Sequence, residues 1–236
     1  VAPGSTIKPL LALAGLDSGT RRAEDKILST GMFYLPGQKR GYGDSHRGGH
    51  GWTDLRKSIY QSVNTYYYKL ALDMGIDKVD AYMANYGFGR PTGVDLAGEI
   101  EGILPSPAWK AAHAPKQGKW YPGDTVITGI GQGFWKVTPL QLAQATGGLA
   151  SGWLRAPHLV KDTRSNFDAP WRPVPLKPAH RMSDSPAHLQ AVTEGMVATV
   201  HGYGTATNIR AGLTYTIASK TGTAQVVSRR GNAALN

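Results

Sequence analysis

Residues 3–9 of the chain have the sequence PGSTIKP, in which a Pro-Gly turn signal is followed at once by a helical pattern. Pro9 lies four residues past Ser5, so its missing N–H falls at the edge of the first turn, where few intrahelical bonds are lost. Gly15 is expected to end the helix. The spacing predicts a helix over residues 5–14 with Ser5 at or near its N-terminus. Its inward positions would be Ile7, Leu10, Leu11 and Ala14.

Ser5 and Lys8 are suited to nucleophilic catalysis if that helix forms. Positions i and i+3 share a helix face, so the Lys8 amine can reach the Ser5 hydroxyl and take its proton. Burial or a neighbouring cation can lower a lysine pKa enough for base catalysis, and the free N–H groups of a helix N-terminus favour an oxyanion. Taken alone the motif is weak, since about one chance match is expected in a chain of this length. A plain N-cap serine and a solvated lysine are then the better interpretation.

Residues 62–64, Ser-Val-Asn, lie between a helix predicted over residues 54–61 and a second over residues 65–74, which Gly75 ends. Ser62 could relay a proton between Lys8 and a leaving amine, and the Asn64 amide could orient an amide substrate. Alternatively, both side chains satisfy backbone groups at the helix break.

Residues 220–223, Lys-Thr-Gly-Thr, belong to a stretch that alternates from residue 215 to residue 227 and predicts a strand. Gly222 removes a side chain where a substrate backbone could lie, and Lys220 with the threonine hydroxyls could bind a carboxylate. The alternative is a strand that ends in an ordinary surface turn, which leaves a glycine inside an alternating strand unexplained.

The remaining elements are helices and irregular segments without an internal repeat. We predict a loop over residues 31–51, a helix over residues 77–86 and a Gly/Pro-rich irregular stretch up to residue 125. Thr138-Pro139 and Ser185-Pro186 each predict a helix start, the first helix running to residue 145. Residues 164–177 are proline-rich and predict an edge segment or surface loop. The second of these helices has an inward stripe formed by Leu189, Val192, Met196 and Val200.

Composition excludes several classes of protein. The chain has 236 residues and is 41% hydrophobic, which is enough for one large domain with a sizeable core. Its longest apolar run is far shorter than a membrane-spanning helix requires. The absence of cysteine excludes disulfides and thiolate metal sites. The net charge of +10 would attract anionic polymers or serve solubility alone. Because the basic residues are scattered and no binding motif accompanies them, we expect no nucleic-acid partner.

The three motifs occur once each, in the order SxxK, SxN and KTG, and in three fitting contexts: a helix start, a junction between helices and a strand. This ordered set is a known signature of penicillin-binding proteins and serine β-lactamases. The chain resembles the transpeptidase domain of class B penicillin-binding proteins, and most closely the elongation-type penicillin-binding protein 2. The stretches that carry the resemblance are PGSTIKP, GGHGWTDLRKSIYQSVNTYYYKLALDMG, YGFGRPTGVDL, WYPGDTVITGIGQG, TPLQLAQA and KTGTAQV.

The resemblance implies an α/β fold of the penicillin-binding and serine β-lactamase type, with an antiparallel sheet flanked by helices and an all-helical subdomain. Residues 1–236 would form one transpeptidase domain that is a fragment. The N-terminal anchor and pedestal would be absent, and sheet strands would be missing at both ends.

The same resemblance implies a role for each motif residue. Ser5 would be the nucleophile and Lys8 the general base, while Ser62 and Asn64 would assist proton transfer and hold the substrate amide. Lys220 would join these catalytic residues and bind the terminal carboxylate with its neighbours. The substrate-binding residues would be Thr221, Gly222 and Thr223, and the oxyanion hole would be the backbone N–H groups of Ser5 and Thr223.

The implied activity is that of a peptidoglycan D,D-transpeptidase, which cross-links stem peptides ending in D-Ala-D-Ala and is acylated by β-lactam antibiotics. Its partners would be a cell-wall glycan polymerase and other elongation-complex proteins. It would act at the periplasmic face of the bacterial inner membrane, without a cofactor.

The second motif departs from some relatives, which have a cysteine at its middle position and bind zinc with its help. Val63 stands there in this chain. We therefore expect no metal site and interpret Asp44, His46 and His50 as residues that form hydrogen bonds in a loop.

Two rival functions remain. Class A β-lactamases activate water with a glutamate that is followed four residues later by an asparagine, and no glutamate between the second and third motifs has that partner; the residues found are Ile103, Pro105 and Ala198. We therefore expect slow deacylation. A non-catalytic β-lactam sensor is the second rival, because an intact Ser5 and Lys8 do not exclude a receptor that is acylated once.

Overall fold

The structure is a computed structural model, which describes residues 1–224 of the chain. Helices dominate this part of the molecule. They are α1 (Lys8–Asp17), α2 (Leu55–Tyr60), α3 (Asn64–Met74), α4 (Ile76–Asn85), α5 (Pro107–His113), α6 (Pro122–Thr128), α7 (Pro139–Ser151) and α8 (Pro186–His201). None of the helices described within residues 1–224 is both long and apolar enough to cross a membrane.

The strands are short and pair as antiparallel two-stranded ribbons. They are β1 (Ile27–Ser29), β2 (Met32–Tyr34), β3 (Gly41–Gly43), β4 (Gly51–Thr53), β5 (Trp153–Leu154), β6 (Asp162–Thr163), β7 (Arg172–Pro173) and β8 (His180–Arg181). The pairs are β1 with β4, β2 with β3, β5 with β8, and β6 with β7. The expected combination of helices with antiparallel strands is thus present, and the pairing between residues 1 and 224 forms four separate ribbons.

The core is built around α1. This helix contacts α3, α4 and α8, and every residue from Lys8 to Leu16 is buried. The four predicted inward positions of this segment are all buried, and Ser5 lies in the turn that leads into α1, as predicted. A helix that is apolar on all sides belongs at the centre of a domain. α1 therefore fixes the N-terminal turn against the rest of the molecule.

The prediction that Gly15 ends the first helix was wrong. Gly15 lies inside α1, which continues to Asp17. A Cβ atom at this position would lie 2.8 Å from Cδ1 of Leu70, a fully buried residue of α3. The glycine lets α1 and α3 approach closely, so its lack of a side chain serves helix packing here.

The helices predicted around the second motif are confirmed. Asp54 caps α2 by accepting a hydrogen bond from the Lys57 amide, and Gly75 ends α3 with a φ of +76°. The helix predicted over residues 77–86 is α4. The starts predicted at Pro139 and Pro186 are also confirmed, but α7 extends six residues past residue 145, to Ser151.

Two segments predicted to be irregular contain regular structure. The ribbon of β2 and β3 lies within the predicted loop of residues 31–51, where strands of three residues are too short to show a period. The Gly/Pro-rich stretch before residue 125 contains α5 and the start of α6. Ser106 caps α5 ahead of Pro107, which is the same start signal used to predict α7 and α8.

The predicted strand over residues 215–227 does not form within its described part, residues 215–224. A strand is defined by ladder hydrogen bonds to a neighbour. This segment is instead held by single contacts, such as those of Ser219 N with Met196 O and of Ile217 N with His201 Nε2. Residues 225–227 of the prediction lie outside the described residues.

The predicted edge segment at residues 164–177 is exposed for most of its length and contains β7, which pairs with β6.

Candidate active site

Ser5 lies in a single 3-10 turn, Gly4–Ile7, that leads directly into α1. Gly4 has a φ of +56°, a left-handed conformation that favours glycine. Its amide donates a hydrogen bond to Gly131 O at 2.9 Å. A Cβ atom on Gly4 would collide with the carbonyl oxygen of Thr223. The turn that carries Ser5 is therefore enclosed between the loop at residue 131 and the segment at residue 223.

Lys8 is fully buried, and its ammonium group donates three hydrogen bonds to the second motif. The acceptors are Ser62 O at 2.7 Å, Ser62 Oγ at 3.1 Å and Asn64 Oδ1 at 2.7 Å. The amine also lies 5.3 Å from the centre of the Tyr67 ring. These bonds use all three protons of an ammonium group, so loss of one proton leaves a lone pair on an amine that Ser62 and Asn64 still orient.

Burial lowers the pKa of Lys8 well below its usual value, and the positive charge of Lys220 lowers it further. The negative charge of Asp44 acts in the opposite direction. Because the neutral amine is the form that can accept a proton, this environment favours a lysine that acts as a base.

The second motif has an unusual backbone. Ser62 has a φ of +56°, the left-handed region that residues other than glycine seldom adopt. The conformation turns the chain between α2 and α3, and the Ser62 carbonyl faces the Lys8 amine. Such strain is often found at functional sites and persists when the surroundings fix it, as the Val63 N to Ser58 O bond of 3.0 Å does here.

The third motif lies against the first. A Cβ atom at Gly222 would lie 2.5 Å from Thr6 Cγ2, so only glycine permits this approach. Thr221 Oγ1 lies 2.6 Å from Thr205 Oγ1, and the Thr223 carbonyl accepts a bond of 3.1 Å from Gln132 Nε2. Burial lowers the pKa of Lys220 to about 8, and its amine donates to Thr221 O at 2.9 Å.

The structure thus brings Lys8, Ser62 and Asn64 into direct contact and places the segment of residues 220–223 beside the Ser5 turn. The electrostatic effect of Lys220 on Lys8 indicates that the two amines share one region. A serine hydroxyl, a lysine with a lowered pKa and a second cation are components of a site for acyl transfer.

Asp44, His46 and His50 form hydrogen bonds, as predicted. His50 Nδ1 lies 3.1 Å from Gln61 Oε1, and His46 Nδ1 lies 3.1 Å from Gly49 O. Asp44 accepts from Ser45 N at 2.7 Å, among other donors. No cluster that could hold a metal ion occurs among the described residues.

Sequence reasoning missed the supporting role of the loop at residues 131–132. Gly131 O accepts from Gly4 N, and Gln132 holds the Thr223 carbonyl, so this loop joins the first and third motifs. The GIGQG sequence was a usable signal, because a glycine-rich loop permits a close backbone approach. A Cβ atom at Gly131 would collide with the backbone of Gly4.

The family model for the penicillin-binding protein transpeptidase domain matches residues 1–236. The chain belongs to this family. The chain is also similar to proteins that are named as transpeptidases. It is 37% identical to the peptidoglycan D,D-transpeptidase MrdA of Salmonella typhimurium over 99% of the chain and 38% of that protein. Identity to MrdA of Acinetobacter baumannii is 40%, over 96% of the chain and 33% of that protein. The chain therefore spans less than half the length of these relatives.

Solved structures of penicillin-binding transpeptidases have the same fold. PBP2 of Pseudomonas aeruginosa, in complex with WCK 5153, matches with a TM-score of 0.83 and 42% identity, over 95% of this chain and 50% of that one. PBP2 of Helicobacter pylori, in a complex with MreC, matches with a TM-score of 0.82 and 35% identity, over 95% and 40% of the two chains. The predicted family, its penicillin-binding protein 2 kind and the predicted fold class are confirmed.

Proposed function

We propose that this chain is the catalytic domain of a peptidoglycan D,D-transpeptidase, and that its active-site serine is Ser5. The names of the Salmonella and Acinetobacter relatives support the activity. The observation that carries the proposal is the contact of the buried Lys8 amine with Ser62 and Asn64. Lys8 follows Ser5 by three residues, about one helical turn. Burial of a charged lysine costs free energy and lowers its pKa, and a lysine with a lowered pKa suits a general base.

The first half of the reaction forms an ester. Ser5 Oγ attacks the carbonyl carbon of the penultimate D-Ala of a stem peptide while the neutral Lys8 amine takes the hydroxyl proton. The backbone N–H groups of Ser5 and Thr223 stabilise the oxyanion. The bond to the terminal D-Ala then breaks, and a proton passes through Ser62 to the leaving amine.

The second half transfers the acyl group. The amine of a neighbouring stem peptide attacks the ester carbonyl, forms the new amide bond and restores the Ser5 hydroxyl. Asn64 and Gly222 border the bound peptide, and before acylation the carboxylate of the donor's terminal D-Ala lies at Lys220, Thr221 and Thr223. A positive charge and hydroxyl donors at the carboxylate site favour substrates that end in a free C-terminus.

The proposed mechanism also predicts sensitivity to β-lactams. A β-lactam offers a carbonyl for Ser5 and a carboxylate for Lys220, but its leaving group stays attached, so the acyl-enzyme persists. No glutamate between the second and third motifs has the asparagine partner of a hydrolytic β-lactamase. The Glu99 carboxylate already accepts hydrogen bonds from the backbone amides of Thr92 and Gly93. We therefore assign a synthetic and not a drug-degrading role.

The cellular setting is part of the proposal. The Helicobacter PBP2 was solved with MreC, and a further neighbour, of 28% identity and TM-score 0.76, belongs to a peptidoglycan synthase complex that couples polymerization and crosslinking. We assign this domain to a comparable elongation assembly with a glycan polymerase. The site would face the periplasm, held at the inner membrane by a segment outside this chain.

Labelling of the intact protein with a fluorescent penicillin tests the proposal. Wild type should be labelled, and Ser5→Ala should not. Ser18→Ala, at the other end of α1, is the matched control and should be labelled like wild type. Absence of label on wild type, or label retained by Ser5→Ala, would contradict the proposed nucleophile.

Two further measurements separate the rival functions. Decay of the acyl-enzyme mass within seconds would indicate a β-lactamase, whereas a transpeptidase retains the adduct. Release of D-Ala from a stem-peptide substrate, with formation of a cross-linked product, separates the enzyme from a sensor that only binds the drug.

A further inference from the structure

Helix α3, which begins with Asn64, lacks an N-cap of its own. The N-cap position is Val63, which has no side-chain acceptor for the free amides of the first turn. Asp44, which directly follows β3, supplies the missing cap from a distant part of the chain. Its carboxylate accepts from Asn64 N at 2.7 Å and from Thr65 N at 3.0 Å. A negative charge at a helix N-terminus is also favoured by the helix dipole.

The Asp44 carboxylate is itself held in place. Its side chain is fully buried, and it accepts a bond of 2.8 Å from Ser29 Oγ in β1. The preceding carbonyl, Gly43 O, accepts from Asn64 Nδ2 at 3.2 Å and from Tyr68 Oη at 2.9 Å. The end of β3 is thereby attached to the first two turns of α3.

Asn64 joins this cap to the catalytic lysine. Its side-chain amide donates to Gly43 O and accepts from the Lys8 amine, so both ends of the amide are fixed. Its backbone amide is bonded to Asp44. A shift of Asp44 would move the residue that orients the Lys8 amine.

We propose that Asp44 is a positioning residue of the acylation site: its carboxylate caps α3 from the β2–β3 ribbon and so holds Asn64 against the Lys8 amine. The inference rests on the proposed function. It assigns to Asp44 a role that a local cap such as Asp54 does not have, because Asp54 caps α2 without touching Lys8 or Asn64.

The charge of Asp44 adds a second, measurable effect. The groups that act on Lys8 are Lys220 and Asp44, which change its pKa in opposite directions, and the uncharged Tyr67 ring and Asn64 amide that lie beside it. Asp44 faces His50, whose Nε2 lies 3.7 Å away. Burial raises the pKa of the nearby Tyr68, and the Asp44 charge raises it further. The acylation rate should fall at low pH as Lys8 becomes protonated, which gives the pH-rate profile an acid limb. Because the Asp44 charge favours protonated Lys8, its removal should move this limb to lower pH.

The test compares Asp44→Asn with Asp54→Asn in the intact protein, using the rate constant of penicillin acylation as a function of pH. Asp44→Asn should acylate roughly tenfold more slowly or worse at its optimum, because each Asp44 oxygen accepts a helix amide and an NH2 group in place of one oxygen would face a donor and displace Asn64. Its acid limb should move to lower pH, because the Asp44 charge no longer favours protonated Lys8. Asp54→Asn keeps a capping side chain and should retain the wild-type rate and limb.

The outcomes separate the two levels of inference. If wild type is not acylated, the proposed function fails. If wild type is acylated but Asp44→Asn keeps the wild-type rate, or loses rate without a shift of the acid limb, the positioning role is wrong. Should Asp44→Asn fail to fold, Ser29→Ala removes one donor from the carboxylate and leaves its charge. That variant should acylate several-fold more slowly with an unmoved limb, and a wild-type rate would overturn the proposal.

Discussion

Lys220 illustrates how burial tunes a single side chain for its proposed task. Its pKa, lowered to about 8, leaves the amine mostly protonated at neutral pH and able to bind a carboxylate. Desolvation makes that charge more effective, because a partly buried ion pair is screened less than an exposed one. A solvated lysine would stay charged to a much higher pH but would bind an anion more weakly.

This pKa predicts the pH dependence of ligand affinity. Below pH 8 the Lys220 amine is charged and attracts the carboxylate; above pH 8 it becomes neutral and the attraction is lost. The dissociation constant of the non-covalent penicillin complex should therefore rise as the pH increases through about 8. It can be measured from the concentration dependence of acylation between about pH 6 and about pH 10.

Lys220→Arg provides the matched control for that experiment, because a guanidinium keeps its charge across this range. The variant should show no alkaline loss of affinity, even if its overall affinity is lower. An identical alkaline limb in wild type and variant would mean that another group controls carboxylate binding.

Lys8 begins α1 and Asn64 begins α3. The packing of these two helices therefore determines where the Lys8 amine meets the second motif. Gly15 allows the close approach, and a methyl group there would press on Leu70. Leu70 is fully buried among core residues and has little room to move.

Gly15→Ala should therefore destabilise the domain, although alanine is the better helix former by about 1 kcal/mol. We expect a net loss of about 1–3 kcal/mol from overpacking. Gly147→Ala is the matched control, because this glycine lies inside α7 with open space around its Cβ position. It should be neutral or stabilising. The midpoint of urea-induced loss of penicillin labelling would report both, and equal midpoints would contradict the packing argument.

Elements with a local signal could be predicted from sequence. Asp54 ahead of α2, Gly75 after α3 and the Thr-Pro and Ser-Pro pairs ahead of α7 and α8 are signals that act within a few residues. The ribbon of β2 and β3 could not be found this way, because its strands are stabilised by pairing and by contact with α3. The true end of α1 was missed for the same reason, since the function of Gly15 depends on Leu70.

The residues of the candidate site divide in the same way, into those with a local sequence signal and those that depend on distant parts of the chain. Ser5, Lys8, Ser62 and Asn64 were predicted from short motifs, and the structure brings the last three into contact. The cap that Asp44 provides for α3 is 20 residues away along the chain, so spacing gave no sign of it. The sequence shows only that Val63 cannot cap α3 with its own side chain. Gln132 likewise holds Thr223 across 91 residues.

The site as a whole is assembled from four segments of the chain that meet around the start of α1. They are the Ser5 turn, the helix junction at residues 62–64, the loop at residues 131–132 and the segment at residues 220–223. One ligand bound at this site should therefore touch several of these segments at the same time.

A crystal structure of the intact protein after reaction with benzylpenicillin tests that requirement. The drug should form an ester on Ser5 Oγ whose carbonyl oxygen accepts hydrogen bonds from the backbone amides of Ser5 and Thr223. The carboxylate of the drug should lie against Lys220 and Thr221. An acyl group on any other residue, or a carboxylate directed away from residues 220–223, would contradict it.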